Sequence, residues 1–378
     1  MKVKAAIRAA NASMWLNAGF VLAQAVPVDP ITVPLFDDAV SCRVPVSVFD
    51  GTNFFLVDTG TSVTVVDARF RERLREPVRR FDGHDLYRSP NILLGQHALG
   101  LDEVICADLC MFRRIAGERS EGILGMDFLK DHVVEMDFER NRFSVSKTVR
   151  EAAKQGARRV PMTPLNGRHF TIPAILNGHM SLNLQIDSGD SSTVSLIQSD
   201  WDMVFPPNGN PRTYRVLLAG IAKAPTGSRV ARVQSLEVGG HVVSNVLCAL
   251  RVFPGGSSSV GIGFLRRYLV SFDFPNRMLY LRPSREFNTK DEHDMSGLHL
   301  LRQEGAVVVH SVDEASPALL AGIKRGDVIV AINGRRCSEM KMKELRQILS
   351  AESGAKVSVE TQRDGKTTRA EFFLKQFL

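Results

Sequence analysis

The sequence predicts a mainly β chain in which one unit occurs twice, followed by a smaller α/β module. Three observations carry this. Short alternating apolar runs, bounded by Asn, Asp and Gly turns, dominate the first three quarters of the chain. Segments within that span repeat each other. A polar, charged run, "RPSREFNTKDEHDMSG" (282–297), then separates off a C-terminal part of different pattern.

The repeat is clearest in "FLKDHVVEMDFERNRFSV" (128–145) and "FLRRYLVSFDFPNRMLYL" (264–281). Both carry Phe-Leu, an alternating stretch, Asp-Phe, then Asn-Arg at an expected hairpin turn. Each follows an apolar, glycine-bearing run: "EGILGMDFL" (121–129) and the shorter "VGIGFL" (260–265), with Gly263 directly before Phe264. Upstream, "RVPVSVFDGTNFFLVDTGTS" (43–62) is echoed by "TIPAILNGHMSLNLQIDSGDSS" (171–192). Both read as strand, turn at Asp50-Gly51 or Asn177-Gly178, strand, then Asp-(Thr/Ser)-Gly. The chain therefore divides into halves at 26–155 and 156–285, a linker at 286–296 and a module at 297–378.

The C-terminal module holds short strands, a short helix at Pro317–Ala321, a helix within "SEMKMKELRQILSAES", and a hairpin turning at Asp364-Gly365. Met340, Leu345 and Ile348 fall at helical spacing and are expected in its core.

The net charge of +7 is spread among acids, and the densest basic stretch, 69–82, contains Glu72, Glu76 and Asp82. It reads as a solvated face, so nucleic acid is not an expected partner. The five cysteines define no disulfide framework. Cys106 and Cys110 lack a second Cys/His pair, so neither a metal nor an organic cofactor is expected. Residues 1–25 run from Lys2, Lys4 and Arg8 through a mostly apolar stretch, interrupted by Asn17, to Ala23-Gln24-Ala25. That is the order of a secretory signal and implies a secreted or periplasmic protein. No other run reaches the length of a membrane span.

Asp58 and Asp187 recur with the same neighbours, which a turn residue alone explains poorly. Two carboxylates brought together hold one proton between them: one acts as base toward water, the other donates to a carbonyl. Gly60 and Gly189 permit tight turns that bring the loops close. The Thr59 and Ser188 hydroxyls are placed to bond across to the opposite loop, and Thr61 is a candidate donor to Asp58. Ser62 completes the first loop.

Asp58-Thr59-Gly60-Thr61-Ser62 and Asp187-Ser188-Gly189, each with its apolar-Gly segment, resemble the pepsin–retropepsin aspartic proteases. The closest style is that of bacterial retropepsin-like proteases with two lobes in one chain, and the resemblance covers roughly 40–285. It implies two β-barrel lobes related by a pseudo-twofold axis. The implied activity is an aspartic endopeptidase acting on peptides or unfolded protein in a cleft under hairpin flaps. Flap candidates are 81–95, with Tyr87, and 216–230, with Gly220. Asp190 departs from the pattern, standing where the family usually has Thr, Ser or Ala. Either it is protonated beside the pair, or it points outward as a turn acid; the outward orientation is the expectation.

The module resembles PDZ domains of the bacterial protease-associated kind, through "SGLHL" (296–300), Ser316-Pro317-Ala318 and Ala321–Asp327. That resemblance implies that backbone at Gly297, Leu298, His299 and Leu300 receives a protein C-terminus as an added strand. Two alternatives stay open. One is a non-catalytic peptide-binding scaffold with a degenerate protease half. The other is a homodimer pairing two copies of the first half.

Overall fold

The computed structural model describes residues 30–378 except 210, 222–224 and 254. The signal-peptide expectation at 1–25 lies outside the described residues. The chain is mainly β, as its alternating patterns require. Among the described residues, no helix is long and apolar enough to cross a membrane.

The two repeated hairpins meet in one six-stranded sheet. Val133–Asp137 and Arg142–Ser146 form the first hairpin, Tyr268–Asp273 and Met278–Pro283 the second. Their first strands pair antiparallel at the centre, from Val133 opposite Asp273 to Asp137 opposite Leu269. Ile31–Pro34 and Arg158–Pro161 close the two outer edges. The turns differ in detail from the sequence expectation. The residue with positive φ is Asn141 in one and Arg277 in the other, so the two Asn-Arg pairs are out of register by one. Asn276 instead bonds the Asp273 carboxylate.

Each half also contributes a sheet built on the same plan. In the first, Gly51–Val57 lies parallel to Gly122–Leu124; in the second, Met180–Ile186 lies parallel to Ser259–Val260. Val65–Asp67 beside Glu103–Ala107 is matched by Val194–Leu196 beside His241–Leu250. The first hairpin turns at Phe49-Asp50, both at positive φ, one residue before the Asp50-Gly51 expected; the second uses Asn177 and Gly178 as expected.

The glycine spacing needs a correction. The counterpart of Gly125 is Gly261, not Gly263. The Asp58 N–H donates to the Leu124 carbonyl and the Asp187 N–H to the Val260 carbonyl, both at 3.0 Å. The Leu129 and Leu265 N–H groups donate to the carbonyls of Gly125 and Gly261, both at 3.1 Å. Measured from those residues, the approach to Phe128 and Phe264 is equal, and no shortening remains.

A single apolar cluster, with Phe55, Phe143, Ile186 and Phe272 fully or almost fully buried, runs through both halves. The C-terminal module has its own core around Val307, Ile329, Leu345 and Val359. Its sheet runs in the order Leu298–Gln303, Ala306–Val312, Val328–Ile332, Lys356–Arg363, Lys366–Phe373, leaving Leu298–Gln303 at an edge. Helix Met342–Leu349 packs Leu345 and Leu349 into that core. Two separate cores are the physical reason the chain splits at the linker.

Candidate active site

Strand Gly51–Val57 ends at Asp58 and strand Met180–Ile186 ends at Asp187. Each strand is pinned on both sides within its sheet, so each acid leaves from a fixed point. The loops lock together through four hydrogen bonds. The Thr59 hydroxyl donates to the Ile186 carbonyl at 2.9 Å and accepts from the Ser188 N–H at 3.0 Å. The Ser188 hydroxyl donates to the Val57 carbonyl at 2.8 Å and accepts from the Thr59 N–H at 3.0 Å. Both side chains are buried, so these bonds form away from water.

The glycines are required by close approach. A Cβ on Gly60 would run into the Asp187 carboxylate, and one on Gly189 into the Asp58 carboxylate. Each carboxylate thus lies against the opposite loop. Asp58 accepts from the Gly60 N–H at 2.7 Å and from the Thr61 hydroxyl at 2.7 Å. Asp187 accepts from the Gly189 N–H at 3.1 Å. The Ser62 hydroxyl sits 3.2 Å from His169 Nε2.

The two halves part at the fourth position of the loop. Asp190 cannot donate as Thr61 does, and Arg251 stands in its place as donor. Its Nη2 lies 3.0 Å from Asp187 Oδ2 and 3.6 Å from Asp190 Oδ2. The expectation that Asp190 faces solvent is overturned. Its side chain is 9% exposed, and it accepts from the Ser259 hydroxyl at 2.9 Å and the Ser192 N–H at 2.9 Å. It turns inward because a cation and two donors are gathered there.

Burial, then the charges of Asp58 and Asp190, push Asp187 up to about 7, against the pull of Arg251. Nothing in the repeat flags Arg251. The available signal is an arginine directly after the buried run of strand His241–Leu250.

Outside the pair, the halves use one device with different parts. Asp127 accepts from the Thr64 N–H at 2.8 Å and hydroxyl at 2.7 Å. Gly263 occupies the corresponding place in the second half, and a side chain there would strike Thr193. The Thr193 hydroxyl instead donates, at 2.8 Å, to Asp291 of the linker. Asp291 also accepts from the Leu247 N–H at 2.7 Å and from Arg267 at 2.6 Å.

Asp58 and Asp187 open on a cavity of about 250 Å³. Leu217, Leu218, Ala219, Gly220 and Ile221 line it, so of the two flap candidates it is the end of strand Tyr214–Leu218, paired with Thr226–Val238, that borders the pair. Tyr87 does not. It is 1% exposed in strand His84–Arg88, which pairs with Glu103–Ala107 and buries the ring in the core under Arg71. Helix Cys110–Ala116 also lines the cavity, through Phe112, Ile115 and Ala116.

In the C-terminal module, the Gly297 N–H donates to Asp294 at 2.7 Å and the Leu298 N–H to the Ser296 hydroxyl at 3.1 Å. The His299 ring bonds Asp313 at 2.9 Å. Leu298, His299 and Leu300 line a second cavity of about 830 Å³. No curated protein matches this chain. Residues 308–363 match the family model of the PDZ domain, so a PDZ domain, a peptide-binding module, forms the C-terminal part of the chain.

Proposed function

We propose that the chain is an aspartic-type endopeptidase with two lobes in one chain, hydrolysing peptide bonds with a water activated by Asp58 and Asp187. One observation carries this: the two carboxylates, each at the end of a strand, lie against the opposite one of two reciprocally bonded Asp-(Thr/Ser)-Gly loops and line one cavity. Structural turn acids have no reason to converge with such matched supports.

In the proposed reaction, Asp187 enters protonated, its pKa pushed up to about 7, and Asp58 enters as carboxylate. Water attacks the carbonyl carbon and gives its proton to Asp58, while the Asp187 proton moves to the carbonyl oxygen. The tetrahedral diol then collapses. The C–N bond breaks, the amine leaves with the proton held by Asp58, and Asp187 regains its own. Leu217–Ile221 border the cavity in which the pair sits. The substrate class is peptide or unfolded protein, recruited by the PDZ domain. The location we propose, secreted or periplasmic, rests on the order of residues 1–25.

One observation favours the scaffold alternative: Arg251 is already ion-paired with Asp187. A mixed peptide library, incubated from about pH 3 to about pH 8, separates the two. Cleavage by the native chain that is lost in both Asp58→Asn and Asp187→Asn supports the endopeptidase. Cleavage surviving in either variant removes the mechanism, and peptide binding without cleavage at any pH supports the scaffold.

A further inference from the structure

We propose that the PDZ domain works on its own chain: helix Cys110–Ala116 of the first half occupies the face between strand Leu298–Gln303 and helix Met342–Leu349, and that grip sets the wall which Phe112, Ile115 and Ala116 give to the cavity of Asp58 and Asp187. The occupancy rests on contacts alone. Its effect on cleavage rests on the endopeptidase proposal.

Strand Leu298–Gln303 pairs along one edge only, with Ala306–Val312. Helix Cys110–Ala116 packs against that strand and against helix Met342–Leu349. Side chains cross between the two parts. Arg114 donates to Gln303 at 2.6 Å, and Arg346 donates to the Ile115 carbonyl. Just past the helix, Glu118 pairs with Lys341 at 3.6 Å. Gly117 caps the helix at φ +70°, its N–H donating to the Arg113 carbonyl at 2.7 Å. A Cβ on Gly117 would run into the Met342 side chain. Glycine is thus required twice there, by the left-handed turn and by the approach of the PDZ helix. Arg346 Nη1 is buried without a hydrogen-bond partner. The guanidinium has therefore given up water at this contact, with the Ile115 carbonyl as its return.

The helix has seven residues, too few to hold its shape alone. Its start is tied to the first half. The Leu109 N–H donates to Asp67 at 3.1 Å, and Arg113 donates to the same carboxylate and to the Ser120 carbonyl, the latter at 3.2 Å. Its last turn is held by the PDZ domain. Ile115 and Ala116 lie in that turn, and Phe112 lies one turn back on the same face as Ile115. The PDZ contacts therefore place this part of the cavity wall. Arg346 and Gly117 are positioning residues, since neither lines the cavity of the acidic pair. A peptide recruited to the PDZ face has to displace the helix, so occupancy of that face and of the acidic cavity are coupled in both directions.

The test is hydrogen exchange, read by mass spectrometry, on the full chain and on its Arg346→Met and Lys341→Glu variants. Exchange across 110–118 should rise about tenfold in Arg346→Met and about threefold in Lys341→Glu, with strands Lys356–Arg363 and Tyr268–Asp273 unchanged. Glu118→Lys combined with Lys341→Glu should restore the native rate. Native exchange across 110–118 in either single variant, or no recovery in the charge swap, overturns the occupancy. Where Arg346→Met also speeds exchange in the two strands, the solvent-exposed Lys341–Glu118 pair decides alone. For the cavity, the readout is the ratio of kcat/KM for two peptides that differ only in a large or a small apolar side chain before the cleaved bond. Arg346→Met should change that ratio about fivefold or more. A purely structural defect lowers both values together, so an unchanged ratio overturns the effect on the cavity. If the native chain cleaves neither peptide, the endopeptidase proposal falls and the effect on cleavage falls with it, while the exchange result stands on its own.

Discussion

Arg251→Met tests the account of the acidic pair most sharply. The guanidinium lies 3.0 Å from Asp187 and 3.6 Å from Asp190, and its side chain is only 19% exposed. At an effective dielectric of about 20, a charge pair at about 3 Å is worth about 5 kcal/mol. Not all of this reaches Asp187, because the same guanidinium also faces Asp190 and the site is partly solvated. A net rise of about one to two pH units in the Asp187 pKa, or about 1.4–3 kcal/mol, is the expected remainder. In the proposed reaction Asp187 works protonated, so activity should fall as pH rises through its pKa, about 7 in the native chain. Removing the cation raises that pKa, and the alkaline limb of kcat/KM should move up by the same amount. The assay is kcat/KM against pH on one cleaved peptide, with thermal unfolding to show that the variant is folded. Arg251→Lys keeps the charge and should keep the limb near its native place. A folded Arg251→Met variant with an unmoved limb would refute the assignment of Arg251 as the group that sets the ionisation of the pair.

Other perturbations follow from the same geometry. Asp190→Ser removes a negative charge that raises the Asp187 pKa, so its alkaline limb should shift toward acid, opposite to Arg251→Met. Thr59→Val and Ser188→Ala each leave buried groups unpaired across the loops; each should cost about 1–3 kcal/mol in denaturant unfolding, with a fall in kcat larger than any change in KM. Asp291→Ala removes the ion partner of Arg267, whose side chain is 4% exposed, and leaves it the Phe287 and Thr289 carbonyls. It should destabilise the chain by about 3–5 kcal/mol, and activity measured well below the melting temperature should still drop, because Thr193 loses its anchor. Normal activity in folded Asp291→Ala would show that the linker does not support the second loop.

Much of the fold was legible because it is written in alternation and turn chemistry, which are local. The hairpins at 128–145 and 264–281, the Asp364-Gly365 turn and the core helix of the PDZ domain all appear where the patterns put them. Local signals fail by one residue where two dipeptides compete for the same turn, as at Phe49-Asp50 and Arg277. The larger failures concern orientation. An aromatic in a short polar stretch gives no sign of which face of its strand it occupies, so Tyr87 reads as a flap residue and folds as core. An acid in a turn reads as solvated, and Asp190 is drawn inward by a cation that lies far away in sequence.

The sequence by itself determined the two-copy organisation, the pairing of Asp58 with Asp187 as counterparts, the reciprocal roles of Thr59 and Ser188, and the separate C-terminal domain. Repetition and periodicity are properties of the chain, and they survive without coordinates. Tertiary structure alone decided what surrounds each acid: Arg251 at Asp187, Asp291 in place of the missing partner of Thr193, and Asp294 in the amides of the PDZ loop. Electrostatic partners are chosen by distance in space. Charges 64 residues apart, as Arg251 and Asp187 are, leave no local trace before the chain folds.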